Sequence, residues 1–165
     1  MLVKQRPSLI LPISYANDTG GTLASTEVIS DALEHTSAEV FIENLTYVTV
    51  HILAIEMIPV AGNPGNLDCW VELSPWPTAN TTTQLWPTPL PASTAYWTAI
   101  GGGGGAVPPV APDTIVATGV STTGQGVLIP FTMHSMWCRV VLQTTAPHAT
   151  SFWVTQVLIS GKGVS

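Results

Sequence analysis

Two glutamates, Glu56 and Glu72, are the side chains of this sequence best suited by type to acid–base chemistry. A glycosidase requires two carboxyl groups across a cleft, one that donates a proton and one that acts as a base or nucleophile. A cleft that held any two of Glu56, Glu72, Asp68 and His51 would therefore indicate an enzyme. An outward-facing acid, or a buried acid with hydrogen-bond partners, explains each position more simply. We therefore predict no catalytic residue.

The four histidines, His35, His51, His134 and His148, lack the short spacings that are typical of a metal site. His134 precedes Ser135, but the G-x-S-x-G turn that presents a serine nucleophile does not surround it. The sequence thus predicts neither a metal site nor a catalytic triad.

A run of glycines at 101–105 matches part of the dinucleotide-binding pattern G-x-G-x-x-A, with Ala106 as its last residue. That pattern binds a pyrophosphate only where the loop opens a helix within a βαβ unit. Here Pro108 and Pro109 follow at once, and no βαβ unit surrounds the loop. We therefore expect no bound cofactor.

The chain carries very little charge: charged residues make up 8% of it and hydrophobic residues 45%. An ordinary soluble domain has roughly a quarter charged residues. Only four residues are Lys or Arg, and the net charge is −6. Nucleic acid is therefore an improbable partner, since its binding depends on Lys and Arg that replace counterions. So few charges predict a surface that is partly buried against neighbouring subunits.

Neither a membrane span nor a disulfide framework is indicated. The most apolar stretch, 48–60, is interrupted by His51 and Glu56 and is too short to cross a bilayer. The two cysteines, Cys69 and Cys138, could form one bridge if their strands are neighbours. Two buried free thiols are the simpler interpretation.

The elements that must position these residues are mostly β-strands. Short runs rich in Val, Ile, Thr and aromatic residues are separated by Gly, Pro, Asn and Ser clusters, the clearest being the turn at 63–66. A short helix fits 22–35, and a strand that ends near Ser30 fits nearly as well. The predicted strands are 40–45, 46–58, 67–73, 114–118, 126–132, 136–143 and 152–160, with a further edge strand at 95–100.

Alternation of apolar and polar residues predicts which side chains point inward. In 46–58 the apolar side changes phase after Ile52, from which we expect a β-bulge or burial on both faces. The predicted inward residues of the next strands are Leu67, Cys69, Val71 and Leu73, and Met136, Cys138, Val140 and Leu142, with Trp70, Glu72, Trp137 and Arg139 facing outward.

Together these elements predict an all-β fold, an antiparallel β-sandwich of about eight strands that is jelly-roll-like in the broad sense. At 165 residues one domain is the default. We predict an N-terminal arm over 1–22 and a single β-sandwich domain over 23–165. The Pro- and Gly-rich loops at 74–91 and 101–112 are expected to carry contacts.

Six tryptophans are many for this length. Surface aromatic residues among few charges are typical of a protein interface. They also suit a platform on which sugars stack, and loops that fold back would instead bury them. The N-terminal stretch suits an arm that lies across a neighbouring subunit, although a frayed end or a first edge strand fits equally well. The candidate interface residues are Trp70, Trp76, Trp86, Trp97, Trp137, Lys4 and Arg6.

Two segments resemble the minor capsid, or decoration, proteins of tailed bacteriophages. They are 48–73, with its Asn-Pro-Gly-Asn turn, and 134–161, with the runs Trp-Cys-Arg-Val-Val and Phe-Trp-Val. The resemblance is one of style, in low charge and Thr- and Gly-rich strands. It implies a homo-oligomer, with a trimer favoured, that binds the major capsid protein, has no catalytic residues and is located in the virion.

We therefore expect a structural virion protein that oligomerises and binds the capsid surface to stabilise the shell. One alternative is a carbohydrate-binding module in which Trp70, Trp76 or Trp97 stacks on sugar rings. The other is a self-assembling filament or surface-layer subunit, which would polymerise without a shell.

Overall fold

A computed structural model describes the backbone of 9–13 and residues 27–43, 45–58, 62–75, 97–100, 112–120, 124–132 and 135–162. These residues form eleven β-strands and no helix. In chain order the strands are β1 (Leu9–Ile13), β2 (Glu27–Ile29), β3 (His35–Thr36), β4 (Val40–Phe41), β5 (Tyr47–Met57), β6 (Leu67–Ser74), β7 (Thr98–Ala99), β8 (Asp113–Ile115), β9 (Gly124–Thr132), β10 (Trp137–Thr144) and β11 (Phe152–Lys162).

The strands form two antiparallel sheets, which confirms the predicted all-β class and two-sheet arrangement. The first sheet has the order β1-β11-β5-β9, and β2 also pairs with β11. The second has the order β3-β10-β6-β7, with β4 beside β10 and β8 beside β6. Because β1 pairs with β11, residues 9–13 of the predicted arm form an edge strand. The jelly-roll-like arrangement stays a prediction.

The core lies between the two sheets and is built from one face of each. Strand β5 contributes every second side chain, beginning with Val48, and the facing strands β6 and β10 do the same. The inward positions predicted for Cys69 and Cys138 are confirmed. The core side chains of β5, β6, β10 and β11 include Val50, Ile52, Leu67, Cys69, Val71, Cys138, Val140, Leu142, Trp153, Val157 and Ile159.

The turn predicted at 63–66 is confirmed and precedes β6. The side-chain oxygen of Asn63 accepts a hydrogen bond from the backbone N–H of Gly65 at 2.8 Å. Gly65 has a φ of 80°, which favours glycine. A Cβ atom there would lie 2.5 Å from the carbonyl oxygen of Ala146, so a larger residue would displace the neighbouring backbone.

The phase change predicted in β5 does not produce a bulge. Every residue from Tyr47 to Met57 pairs in continuous register with β11. The inward face therefore continues through Ala54 and Glu56, which are buried. Leu53 and Ile55 lie on the opposite face and are 46% and 41% exposed, so the expectation of burial on both faces is wrong at these residues.

Shorter elements differ from the predictions in extent. The possible helix at 22–35 is replaced, within the described residues, by β2, a bend at 31–33 and the start of β3. The strand predicted over 40–45 covers only Val40–Phe41. Eleven strands appear where about eight were expected, because five are only two or three residues long and are too short to show a period of two: β2, β3, β4, β7 and β8.

Candidate interaction surface

The four groups of which an enzyme would need two lie on three different surfaces. Glu56 belongs to the inward face of β5, and His51 belongs to the outward face of the same strand. Asp68 and Glu72 share the outward face of β6, in the other sheet, but are four residues apart along the strand, about 14 Å at the rise of an extended chain. The paired carboxyl groups of a glycosidase are only about 5–10 Å apart. Asp68 and Glu72 therefore do not have the spacing of such a pair.

Glu56 is fully buried and acts as an acceptor for the strand-to-strand connection at 116–120. Its Oε2 accepts hydrogen bonds from the backbone N–H and the hydroxyl of Thr118, both at 2.8 Å. Its Oε1 accepts a bond from the backbone N–H of Gly119 at 3.0 Å. A buried carboxylate requires such donors, and here they fix the loop that leads from β8 to β9.

Glu72 forms a buried ion pair on the outward face of the second sheet. Its Oε2 accepts from Nε of Arg139 and lies 2.6 Å from both Nε and Nη2. Its Oε1 accepts a hydrogen bond from the indole N–H of Trp70 at 3.3 Å. The Arg139 guanidinium also lies 4.4 Å from the ring centre of Trp97, a cation–π arrangement. Both oxygens of Glu72 therefore have partners within the chain.

The tryptophans predicted to form an interface have different environments. Trp70 faces outward from its sheet, as the alternation predicts, but is only 2% exposed, and Trp97 is fully buried. Trp70 packs with Ala99 and Val141. Trp137 is partly exposed, and its ring lies 5.1 Å from that of Phe41 at a tilt of 56°. The remaining candidates lie outside the described residues: Trp76, Trp86, Lys4 and Arg6.

A histidine connects the two sheets at one edge. His35 Nε2 lies 2.9 Å from Asp31, and its Nδ1 lies 3.3 Å from Glu27. The hydrogen bond with His35, followed by one from the backbone of Leu33, lowers the pKa of Asp31. Within the described ranges, no group of three or more His, Cys, Asp or Glu side chains is arranged to hold a metal ion.

The cysteines are free and buried, which confirms the simpler interpretation. Cys69 pairs with Leu142 and Cys138 pairs with Leu73. The two thiols are thus four residues apart along neighbouring strands, about 14 Å at the rise of an extended chain. A disulfide needs Cα atoms within about 7 Å. Burial raises the pKa of both thiols, that of Cys138 to about 12, so neither has the character of a nucleophile.

The outward face of the first sheet carries several exposed apolar side chains. Here Leu128 is 63% exposed and lies beside His51 on the neighbouring strand. Val28, Val154 and Ile55 form a row across three strands. One position on this face is charged: Lys162, which pairs with Tyr47 at the end of β11. The other residues on this face include no Asp, Glu, Lys or Arg: Val28, Tyr47, Thr49, His51, Leu53, Ile55, Met57, Gly124, Gly126, Leu128, Pro130, Thr132, Phe152, Val154, Gln156, Leu158 and Ser160. We call this set, with Lys162, the bare face.

The relief of the bare face comes from two glycines. Leu53 pairs with Gly126 and Ile55 pairs with Gly124. Side chains of β5 therefore form a ridge, and the start of β9 forms a groove beside it. A Cβ atom on Gly124 would meet nothing within 4 Å, so the groove is open to a side chain from outside.

Sequence reasoning did not identify the bare face as a site. The signal was present in the phase change after Ile52, which places apolar side chains on both faces of β5. That change predicts a bulge or burial on both faces. The continuous register of β5 with both neighbours contradicts the bulge, and the exposure of Leu53 and Ile55 contradicts the burial. A second signal was the pair of glycines in β9, since glycine is depleted in strands and often marks a close approach.

Comparisons with known proteins do not identify a family for this fold and surface. No protein-family model matches the sequence, and no curated protein matches it significantly. In the part of the chain that is described, no helix is both long and apolar enough to span a bilayer. The interpretation of function therefore depends on the residues themselves, and on the bare face above all.

Proposed function

We propose that this chain is a structural protein of a virion that oligomerises and attaches to the capsid surface, and that it stabilises the shell by contact. The bare face is the observation that carries this proposal. Large apolar patches on soluble proteins mark interaction sites, because exposed apolar area is unfavourable in water. A face of this kind with one charged position, Lys162 at the end of β11, is suited to burial against protein.

The bonding of the acids supports the same proposal. Glu56 and Glu72 each have two or three hydrogen-bond donors supplied by the chain itself. A side chain that is buried and fully bonded in this way positions a loop or a neighbouring strand. These roles of Glu56 and Glu72 are structural, which supports a protein that acts by contact.

A decoration protein stabilises a shell through many copies, each of which adds a small free energy of binding. Multivalent attachment converts weak single contacts into firm attachment of the whole oligomer. The N-terminal arm and the loops at 74–91 and 101–112 are the proposed contacts with the major capsid protein. The bare face is then available for contacts between copies.

The proposal is tested by adding the purified chain to capsids of the virus that encodes it, assembled without this protein. Saturable co-sedimentation with the capsids, and a higher temperature of capsid disruption, are the expected results. Failure to co-sediment at any concentration would overturn the proposal. Indefinite polymers in the absence of capsids would point instead to the filament or surface-layer alternative.

The carbohydrate-binding alternative depends on exposed indole rings. Two of the three tryptophans proposed to stack on sugar rings, Trp70 and Trp97, are buried and cannot contact a ligand. Sugar stacking requires an open ring face, whereas the partly exposed Trp137 ring is tilted against Phe41. Binding on a glycan array that is lost in a Trp137→Ala variant would favour this alternative over the virion proposal.

A further inference from the structure

We infer that the bare face binds the bare face of a second copy of this chain across a two-fold axis. This inference rests on the proposed function, because it names the partner of the surface that carries that function. It also assigns a symmetry to the oligomer, which the sequence alone did not provide.

The two sheets of the sandwich are unequal in how their outward faces are covered. On the second sheet, the outward residues Trp70, Glu72 and Val141 are buried, and the Trp97 ring contacts the Arg139 guanidinium. On the first sheet, Leu53 and Ile55 of the central strand β5 are 46% and 41% exposed. The outward face of the second sheet is thus buried at these residues and that of the first sheet is exposed. A third layer packed on the first sheet would bury its exposed apolar side chains.

Charge restricts what the third layer can be. The bare face includes no acid and one basic position, Lys162 at the end of β11, so a nucleic acid or a strongly charged protein would find little complementary charge there. The polar pair formed by His51 and Ser160 is bonded internally, since His51 Nε2 lies 2.8 Å from the hydroxyl of Ser160. A largely uncharged, apolar surface is the complement, and the bare face of another copy is such a surface.

The size of the bare face is sufficient for a small specific interface. The three strands β5, β9 and β11 side by side span about 14 Å and eleven residues span about 37 Å, which gives a face of about 500 Å². A specific protein interface buries at least about 1,000 Å² in total, counted over both partners. One face against one face therefore reaches the lower limit of that range.

Shape also favours self-pairing. The ridge formed by Leu53 and Ile55 lies directly beside Gly126 and Gly124. The groove is open at Gly124, whereas a Cβ on Gly126 would lie 3.4 Å from the side chain of Leu53 itself. A two-fold axis presents the same patch on both partners, so the ridge of each copy faces the groove of the other. Two sheets that pack face to face lie about 10 Å apart and interdigitate their side chains in this manner. A trimer, by contrast, joins two different patches at each contact.

The test is sedimentation equilibrium of the full chain and of two matched leucine variants. We expect the native chain to be a dimer at micromolar concentration. Leu53→Glu places a charge at the centre of the interface and should raise the dimer dissociation constant by at least about a hundredfold. Leu33→Glu is the control and makes the same change at a leucine that is 64% exposed. Leu33 lies in the bend at 31–33, and this bend is hydrogen-bonded to β10 of the second sheet, away from the bare face. This variant should leave the dimer unchanged.

A second variant separates loss of the dimer from loss of folding. Gly124→Val adds a side chain where a Cβ meets nothing in the same chain, so the unfolding midpoint of the dissociated chain should not fall. In the dimer the added side chain fills the groove and should weaken association. Circular dichroism and urea unfolding of each variant at low concentration would verify the fold.

Several outcomes would overturn the inference. A native monomer, a trimer, or a dimer that Leu53→Glu and Gly124→Val leave intact would each do so. A monomer that Leu53→Glu destabilises would show that another segment of the same chain covers the face. Capsid binding separates the two proposals: a native monomer that co-sediments with capsids refutes the dimer alone, and a dimer that does not co-sediment refutes the virion proposal alone.

Discussion

Replacing Arg139 with methionine is expected to destabilise the fold by about 3–5 kcal/mol, because it leaves a charged carboxylate buried without its cation. Glu72 is 2% exposed, and the guanidinium of Arg139 provides two of its three hydrogen-bonding contacts. Methionine preserves much of the apolar stem of arginine. The loss is therefore mainly electrostatic.

The magnitude follows from the geometry of the pair. Two unit charges 2.6 Å apart attract by about 6 kcal/mol at an effective dielectric constant of about 20. Desolvation of the two ions offsets most of that attraction while both are present. Removal of the arginine alone takes away the attraction and leaves Glu72 desolvated. A double variant, Glu72→Gln with Arg139→Met, removes both charges and should be much closer in stability to the native chain.

The assay is urea unfolding followed by tryptophan fluorescence, with free energies from linear extrapolation. Arg139→Lys keeps the charge but loses the planar contact with Trp97, so its stability should be intermediate. Glu43→Gln, a change at an exposed acid, is the control and should stay within about 0.5 kcal/mol of native. A loss below about 1 kcal/mol for Arg139→Met, or a double variant no more stable than the single one, would refute the reasoning.

Three further predictions concern other buried or hydrogen-bonded side chains. Glu56→Gln should cost about 2–3 kcal/mol in urea unfolding and speed amide exchange at 118–119, since an amide N–H₂ cannot accept the bonds made there. Cys69 and Cys138 should resist a thiol reagent in the native chain and react in urea, because burial raises both pKa values; rapid native reaction would contradict this. The lowered pKa of Asp31 contributes stability above its ordinary value of 3.8 that is lost as the pH falls through the folded value. Asp31→Asn should therefore show a smaller loss of stability in acid than the native chain, and equal losses would contradict the assignment.

Much of the fold was predictable because the long strands alternate clearly. In β6 the apolar residues Leu67, Cys69 and Val71 occupy every second position, and all three lie in the core. The same pattern placed Cys138 correctly in β10. A period of two determines the face of a side chain in a strand, and that information is local.

What covers a face depends on pairings that are distant in sequence. Trp70 points outward as predicted, yet it is buried because residues from 97–99 pack against it. Strands as short as Thr98–Ala99 have no periodicity to detect. The role of Glu56 likewise depends on a loop 62 residues further along the chain, which no local pattern in β5 indicates.

The distribution of charge and of apolar side chains in this fold supports assembly. Glu56 and Glu72 are buried, Arg139 is bound to Glu72, and His35 is bonded to two acids at the sheet edge. Charges used for internal bonds contribute little to repulsion between molecules at the surface. Acids that stay exposed, such as Glu43, are not residues of the bare face. Two bare faces together have an area near the lower limit for a specific interface. A chain with an exposed apolar sheet face lowers its free energy in water by covering that face, and a second copy supplies a matching surface.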